Sequence, residues 1–207
     1  MDRFIPKYAR VPLIICAVAQ FMAYWLPRAL PRLPYTVDMA TALDRAIVVT
    51  PPWIVVYVAA YMYWVLGYIA VARVSPGVCM RFCRADWMGK GVAFLCFVFL
   101  PTYLARPEIT GGGAFGWMLR AIYTADAPNN LFPSMHCSIS WLLARQMGML
   151  DAFRPGAKAA SYVLAILICI STLYTGQHVV ADVVGGIILA EGSIYLIRKW
   201  NRHEVEI

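Results

Sequence analysis

The stretch GQHVVADVVGGIILAEGSIYLI, residues 176–197, is a long apolar run that carries a histidine and an aspartate near its beginning. A second stretch, PSMH at residues 133–136, places another histidine at the start of a second apolar run. An ionisable side chain inside a hydrocarbon-like segment is costly, so a function is the first hypothesis for it. We therefore take His178, Asp182 and His136 as the residues around which the chain is organised.

The composition is that of an integral membrane protein. Of the 207 residues, 61% are hydrophobic and 14% are charged, and the mean hydropathy is +0.64, whereas soluble domains carry about 25% charged residues. The length allows one domain, residues 1–207, built from about six membrane-spanning helices. Membrane orientation explains the net charge of +7, so we expect a lipid bilayer and no nucleic acid as the partner.

Apolar runs predict an all-α bundle of six transmembrane helices. The runs cover residues 11–26, 52–72, 88–105, 134–150, 159–174 and 179–197. With the N-terminus inside, the inner segments hold 13 of the lysines and arginines and the outer segments hold 5, which are Arg28, Arg32, Arg45, Arg106 and Arg120. This bias predicts that both termini are cytoplasmic and that both histidine motifs lie on the outer face with Arg106.

The connection 106–133 is longer than a structureless loop should be in a compact protein. Four apolar residues within it recur at helical spacing, namely Phe115, Met118, Leu119 and Ile122. They predict a short interfacial helix between spans three and four, hinged at Gly111-Gly112-Gly113. Its role is open between a lid, a rim through which lipids reach the site, and simple packing.

The two histidine motifs suit the chemistry of a phosphate group. Pro133 and Ser134 predict the start of a helix, with Ser134 as its N-cap and His136 in its first turn, where backbone N–H groups and the helix dipole favour an anion. His178 and Asp182 are four residues apart, so on a helix they share one face. Asp182 can then accept the Nδ1 proton of the imidazole and leave Nε2 free as nucleophile or base.

Other features of the same runs have simpler interpretations. The small residues Ala181, Gly185, Gly186 and Ala190 predict close packing of a neighbouring helix. Glu191 lies about half a turn off the face of Asp182, so we expect it to pair with a polar group between helices.

Taken alone, a histidine near a helix end is usually a packed residue, and a His-Asp pair can also be half a metal site or a proton relay. The six cysteines are interpreted as buried or idle thiols.

Together these stretches resemble the motifs of the type 2 phosphatidic acid phosphatase superfamily. Residues 133–136 look like its second motif, residues 171–182 like its third, and Arg106-Pro107 like the end of its first. The resemblance covers the whole six-span layout. It implies a membrane enzyme in which His178 forms a phosphohistidine.

The resemblance also implies the roles of the other site residues. Asp182 would orient His178, and His136 would be the general acid that protonates the leaving oxygen. The phosphoryl oxygens would be held by Arg106, Ser134 and Ser171. No metal and no cofactor would be needed.

Two departures from the family's pattern bear on the substrate. Phe99 stands where the family's phosphatases usually have a lysine, and Thr172 stands where they have an arginine. Their absence should weaken binding of a phosphate monoester dianion more than binding of a phosphodiester, which carries less charge. Lys90 and Arg120 are candidates for replacing the charge, although Lys90 is predicted on the cytoplasmic side.

Residues 132–137, FPSMHC, are in addition similar to the branch that contains inositol phosphorylceramide and sphingomyelin synthases. These enzymes pass a phosphorylated head group to a lipid alcohol. The sequence thus predicts a lipid-phosphate phosphatase acting at the outer face, with a head-group phosphotransferase as the alternative. A transporter or non-catalytic lipid-binding protein is the hypothesis from a different class. The expected location is a bacterial plasma membrane.

Overall fold

The structure is a computed structural model that describes residues 4–31, 33–109 and 112–203, without the side chains of residues 202 and 203. Arg32, counted above as an outer cation, and Gly111 of the predicted hinge lie outside the described residues. The described chain is helical and contains no β-strand, only isolated bridges between Val37 and Thr102 and between Tyr103 and Asn129. The all-α prediction is confirmed.

The long helices follow the predicted runs closely except the one predicted at 88–105, and the short helix at 42–46 was not predicted. The helices are α1 (Lys7–Ala29), α2 (Ala42–Ala46), α3 (Ile54–Ala72), which a 3-10 turn (Pro51–Trp53) precedes, α4 (Pro76–Phe99), α5 (Gly113–Ala125), α6 (Met135–Met149), α7 (Pro155–Tyr174) and α8 (Val180–His203).

Four helices of the described chain are long and apolar enough to cross a membrane, namely α1, α3 with its preceding turn, α7 and α8. The protein is therefore an integral membrane protein with four candidate spans. The other two predicted spans do not meet the same criteria. Helix α6 has 15 residues, which at about 1.5 Å per residue is shorter than the roughly 30 Å hydrocarbon core. Helix α4 carries four charged residues, Arg81, Arg84, Asp86 and Lys90.

The bounds of α4 differ most from the prediction of 88–105. The helix begins at Pro76, where Ser75 caps it by accepting the N–H of Val78 at 3.2 Å. It ends at Phe99 because Pro101 follows Leu100, and a residue before proline is disfavoured in the α conformation. Charged residues lower the hydropathy of its first half, so a search for apolar runs does not detect that half.

Two of those charges neutralise each other inside the bundle. Lys90 Nζ lies 2.6 Å from Asp86 Oδ2 and also donates to the Cys16 carbonyl of α1 at 2.9 Å. The hydroxyl of Tyr68 donates to the other carboxylate oxygen of Asp86. Lys90 Nζ and both carboxylate oxygens of Asp86 thus have partners. A buried ion pair is tolerated when its polar atoms are paired in this way.

Close packing of α6 on α8 positions the site. A Cβ added to Gly186 would lie only 2.5 Å from the carbonyl oxygen of Ser134 and 3.0 Å from Cys137 Cβ. One added to Gly185 would overlap the ring of Phe132. These contacts confirm the predicted small-residue face and bring the first turn of α6 beside the first turn of α8.

Helix α5 confirms the predicted helix in the connection 106–133. Leu119 is fully buried, and Met118 and Ile122 pack with it against Ile54 and Tyr57 at the start of α3. The helix begins at Gly113, whose φ of +85° favours glycine. One face of α5 thus packs on the bundle, while its place at a membrane surface and its gating role stay predictions.

Candidate active site

His178 lies in the loop between α7 and α8, two residues before α8 begins. Its Nδ1 is 3.2 Å from Asp182 Oδ2, and the same oxygen accepts the N–H of Val179 at 3.0 Å. The predicted contact between His178 and Asp182 is therefore present, but its origin differs from the prediction. Asp182 reaches back from the first turn of α8 as a capping residue does, so the two residues do not share a helix face.

The backbone of the α7–α8 loop holds His178 in place. The carbonyl of Thr172 accepts two N–H groups, from Gln177 at 3.0 Å and from His178 at 3.1 Å. Gly176 has a φ of +62°, and a Cβ there would lie 2.7 Å from the hydroxyl of Tyr123. Glycine at 176 thus permits both the turn of the loop and its close approach to α5.

His136 lies in the first turn of α6, as predicted, after the N-cap Ser134. Its ring stacks on Tyr57 with 4.1 Å between ring centroids, and Tyr61 and Trp64 contact other sides of the ring. The three aromatic residues recur on one face of α3. The Nε2 atom of His136 is buried and has no hydrogen-bond partner among the described residues. The aromatic contacts thus fix the ring of His136 without using Nε2.

Both histidines line one cavity of about 480 Å³. Their ring centroids are 6.5 Å apart, so one group bound in the cavity could contact both imidazoles. The other walls are largely aromatic, with Tyr24 and Trp25 from α1 and Trp64 from α3. Asp126, which follows α5, contributes a carboxylate to the same cavity.

Asp182 sets the protonation of His178. The imidazole is about 10% exposed. Burial lowers its pKa, but the hydrogen bond that Nδ1–H donates to Asp182 and the negative charge of that carboxylate outweigh burial, so the pKa of His178 lies above its ordinary value.

Replacing Asp182 with asparagine is expected to lower the pKa of His178, because the carboxylate charge disappears while burial remains. In the wild-type protein the imidazole should therefore keep its proton to a higher pH than in Asp182→Asn. NMR titration of histidine-labelled protein measures this difference. Asp38→Asn is the matched control, since Asp38 is an exposed carboxylate paired with Arg45 at 2.8 Å. An equal His178 pKa in the wild type and in Asp182→Asn would refute this role.

Arg106 is buried beside the histidine loop, with 8% of its side chain exposed. Its Nη2 donates to Gln177 Oε1 at 2.6 Å, and its Nη1 donates to the carbonyls of Tyr123 and Asp126. Gln177 directly precedes His178, so Arg106 contacts the histidine loop, although Arg106 is not among the residues that line the cavity.

The two serines expected to hold phosphoryl oxygens are placed differently. Ser134 is buried between the two motifs, where its N–H donates to the carbonyl of Asp182 at 3.0 Å. Ser171 is also buried, but its hydroxyl donates to the Ile168 carbonyl of its own helix at 2.7 Å. The structure thus brings Ser134 to the histidines, whereas the Ser171 hydroxyl is turned into α7.

The positions that lack the family's cations hold no substitute charge. Phe99 is 66% exposed at the end of α4. Thr172 is fully buried, and its hydroxyl donates to the Cys169 carbonyl. Lys90 is paired with Asp86, and Arg120 donates to the Ile109 carbonyl on the surface of α5. Neither of these candidate cations lines the histidine cavity.

Another charged pair, which the sequence did not reveal, lies beside the cavity, and its carboxylate, Asp126, lines it. Arg28, in the last turn of α1, donates from Nη2 to Asp126 Oδ1 at 2.8 Å, and the hydroxyl of Tyr24 donates to the same oxygen. On the other side, Arg106 Nη2 lies 3.9 Å from Asp126 Oδ2. Arg28 and Asp126 are separated by 98 residues and belong to no motif. The only signal for Arg28 was its place among the outer cations.

Glu191 lies outside this site, as predicted. Its Oε1 is 2.6 Å from Arg145 Nε and accepts the Trp141 indole N–H at 2.8 Å, both from α6. The prediction that it pairs with a polar group between helices is confirmed.

These features define a class of protein: a helical integral membrane protein whose paired histidines, one oriented by an aspartate, face a single cavity beside a buried arginine. A sequence profile of the PAP2 superfamily matches residues 91–206, more than half of the chain. The chain belongs to this superfamily, which is the type 2 phosphatidic acid phosphatase superfamily that its motifs resemble. Its members are generally phosphatases. No curated protein and no solved structure matches the chain. The likeness to the inositol phosphorylceramide and sphingomyelin synthase branch stays a prediction.

Proposed function

We propose that the chain is a metal-independent lipid-phosphate phosphatase that acts through a phosphohistidine on His178. One observation carries the proposal most directly: His178, oriented by Asp182, lines the same cavity as His136, whose buried Nε2 has no hydrogen-bond partner among the described residues. A nucleophile with its orienter and a separate proton donor are the groups that a two-step phosphoryl transfer requires.

In the first step, His178 Nε2 attacks phosphorus while the bond between phosphorus and the lipid oxygen breaks. The leaving oxygen takes a proton from His136, and the phosphoryl group is left on His178. In the second step, water attacks phosphorus and gives its proton to His136, and the phosphorus–nitrogen bond breaks. Inorganic phosphate leaves, and both histidines return to their starting states.

Arg106, Ser134 and Ser171 are the proposed ligands of the phosphoryl oxygens. Arg106 can stabilise the charge that develops on those oxygens, since it is buried and adjacent to the histidine loop. Ser134 can contribute its hydroxyl, which caps α6 only through a long contact of 3.4 Å with the N–H of Cys137. Ser171 can contribute only if its hydroxyl leaves the Ile168 carbonyl.

A head-group phosphotransferase is the alternative function. The exposed Phe99 and the buried Thr172 favour it, because neither supplies the charge that a monoester dianion needs. In this reaction His178 would take a phosphorylated head group from a phosphodiester, with diacylglycerol as the leaving alcohol protonated by His136. The hydroxyl of a second lipid would then attack phosphorus in place of water.

The proposal includes the six-span topology with cytoplasmic termini and the site on the outer face of a bacterial plasma membrane. Helices α4 and α6 complete it as inner helices of the bundle. Their polar residues are compatible with this position, because Asp86 and Lys90 pair with each other in α4 and α6 packs among α3, α7 and α8.

Product analysis with the purified protein tests the function. We expect inorganic phosphate from phosphatidic acid in the presence of EDTA, and intact cells should release it from an added short-chain analogue without permeabilisation. With phosphatidylglycerol and an added lipid alcohol, formation of a new phospholipid instead of phosphate would establish the transferase. Lipid-phosphate binding with neither product would overturn both enzymatic functions and favour a binding or transport protein.

A further inference from the structure

We propose that Asp126 is a specificity-determining residue that occupies the anion position between Arg28 and Arg106 and thereby favours singly charged phosphodiesters over phosphate monoester dianions. The inference rests on the proposed function, since it takes the histidine cavity as the place where a phosphoryl group binds. Of the two reactions proposed there, it favours head-group transfer from a phosphodiester.

The geometry around Asp126 is that of a bound anion. One carboxylate oxygen accepts from Arg28 Nη2 at 2.8 Å and from the hydroxyl of Tyr24, and the other lies 3.9 Å from Arg106 Nη2. The two guanidinium groups are 12% and 8% exposed, whereas the carboxylate is 27% exposed. The cations are therefore buried behind the carboxylate, and Asp126 itself lines the cavity with His136 and His178.

Arg28 also explains how the site holds charge without the family's usual cations. Its guanidinium lies 3.9 Å from the centroid of the Tyr24 ring, which fixes it over an aromatic face. Its Nε is buried and has no hydrogen-bond partner among the described residues. Arg28 does not itself line the cavity, so its charge acts on a phosphoryl group there through Asp126, which does.

The charges then decide which phosphate is favoured. Arg28 and Arg106 carry two positive charges, but the carboxylates of Asp126 and Asp182 offset them, so little net positive charge is left beside the histidines. A phosphodiester carries one negative charge, whereas a monoester above a pKa of about 6 carries close to two and needs more compensation. The monoester also meets the carboxylate of Asp126, and repulsion between like charges in a partly buried site is several times stronger than in water. Asp126 therefore acts against the monoester more than against the diester.

Asp126→Asn tests the inference, because asparagine keeps a carbonyl acceptor for Tyr24 and Arg28 while removing the charge. We expect inorganic phosphate, measured by calorimetry at pH 7.5, to bind about tenfold more tightly than to the wild type. The kcat/KM ratio of phosphatidic acid to phosphatidylglycerol should rise by a similar factor. A purely structural role would lower both rates together and leave the ratio unchanged.

Two matched variants separate this effect from general changes. Asp38→Asn removes the same charge from an exposed carboxylate outside the cavity and should leave phosphate affinity unchanged. Arg28→Gln removes a cation and should change phosphate affinity and the substrate ratio in the opposite direction to Asp126→Asn. If Asp126→Asn does not fold, weaker phosphate binding by Arg28→Gln still tests the inference.

The outcomes distinguish the inference from the proposed function. A wild-type protein that turns over neither lipid would defeat the proposed function, while the phosphate affinity of Asp126→Asn would still test the inference. If Asp126→Asn binds inorganic phosphate no more tightly than the wild type, or if Arg28→Gln binds it equally well, the inference is overturned. Tighter binding in Asp126→Asn with weaker binding in Arg28→Gln supports it.

Discussion

Replacing His178 with alanine is expected to abolish turnover, with kcat reduced by about 10⁴-fold or more, because this change removes the proposed nucleophile. His136→Ala should cost about 10²- to 10⁴-fold, the usual contribution of a general acid. Release of inorganic phosphate, or formation of the transferred phospholipid, measures both effects. Thermal unfolding should show that His178→Ala remains folded, since His178 lies in a loop before α8.

His203→Ala is the matched control, because His203 is the third histidine of the chain and ends α8, whereas His178 precedes that helix. We expect wild-type turnover from it. Activity retained in His178→Ala would defeat the proposed nucleophile, and equal losses in His178→Ala and His203→Ala would indicate a general effect of histidine removal.

The second large effect is expected from Gly186→Ala. The added Cβ would lie 2.5 Å from the Ser134 carbonyl and 3.1 Å from the Ser138 N–H, and backbone atoms cannot move aside as a flexible side chain does. Helix α6 must therefore shift relative to α8, at a cost of about 1–3 kcal/mol or more. The shift would also stretch the 3.0 Å hydrogen bond from Ser134 N–H to the Asp182 carbonyl. Since a misplacement of about 1 Å can cost 10²-fold in rate, turnover should fall even in protein that remains folded.

Gly192→Ala provides the control on the same helix, because a Cβ at that position would meet no atom within 4 Å. Alanine is favoured over glycine inside a helix by about 0.5–1 kcal/mol, so this variant should be as stable as the wild type or slightly more stable. Thermal unfolding in detergent and phosphate release compare the two variants. Similar melting temperatures for Gly186→Ala and Gly192→Ala would contradict the close contact between α6 and α8.

Apolar runs predicted most of the helices because each of those helices has a lipid-facing or core-facing surface that is nearly all hydrocarbon. Helix α4 was mispredicted because its charges are compensated only in three dimensions. Asp86 and Lys90 pair with each other and with groups on α1 and α3, and a linear sequence shows the charges without their partners.

The candidate site shows the same division between local and distant contacts. His178 and Asp182 were found together because four residues separate them, and Ser134 and His136 because both begin a helix. Asp126 was not found because its partners Arg28 and Arg106 lie 98 and 20 residues earlier in the chain. Neither residue spacing nor hydropathy carries information about such contacts.

The aromatic contacts of His136 were also not predicted. Tyr57, Tyr61 and Trp64 have the spacing of an ordinary helix face, and only the packing of α3 against α6 turns that face toward the histidine. These rings fix the imidazole without using its Nε2, which is why an unpartnered polar atom persists in an otherwise apolar surrounding.

The central claim is a phosphoryl group carried by His178, and mass spectrometry of His136→Ala protein tests it most directly. An aryl phosphate is the substrate of choice, because its leaving group needs no proton from His136, so the first step can proceed while attack by water is slowed. We expect the protein to gain one phosphoryl group, located at His178 by peptide mapping and absent from the His136→Ala/His178→Ala double variant. A phosphoryl group on another residue, or turnover with no phosphorylated protein at any time, would contradict the proposed mechanism.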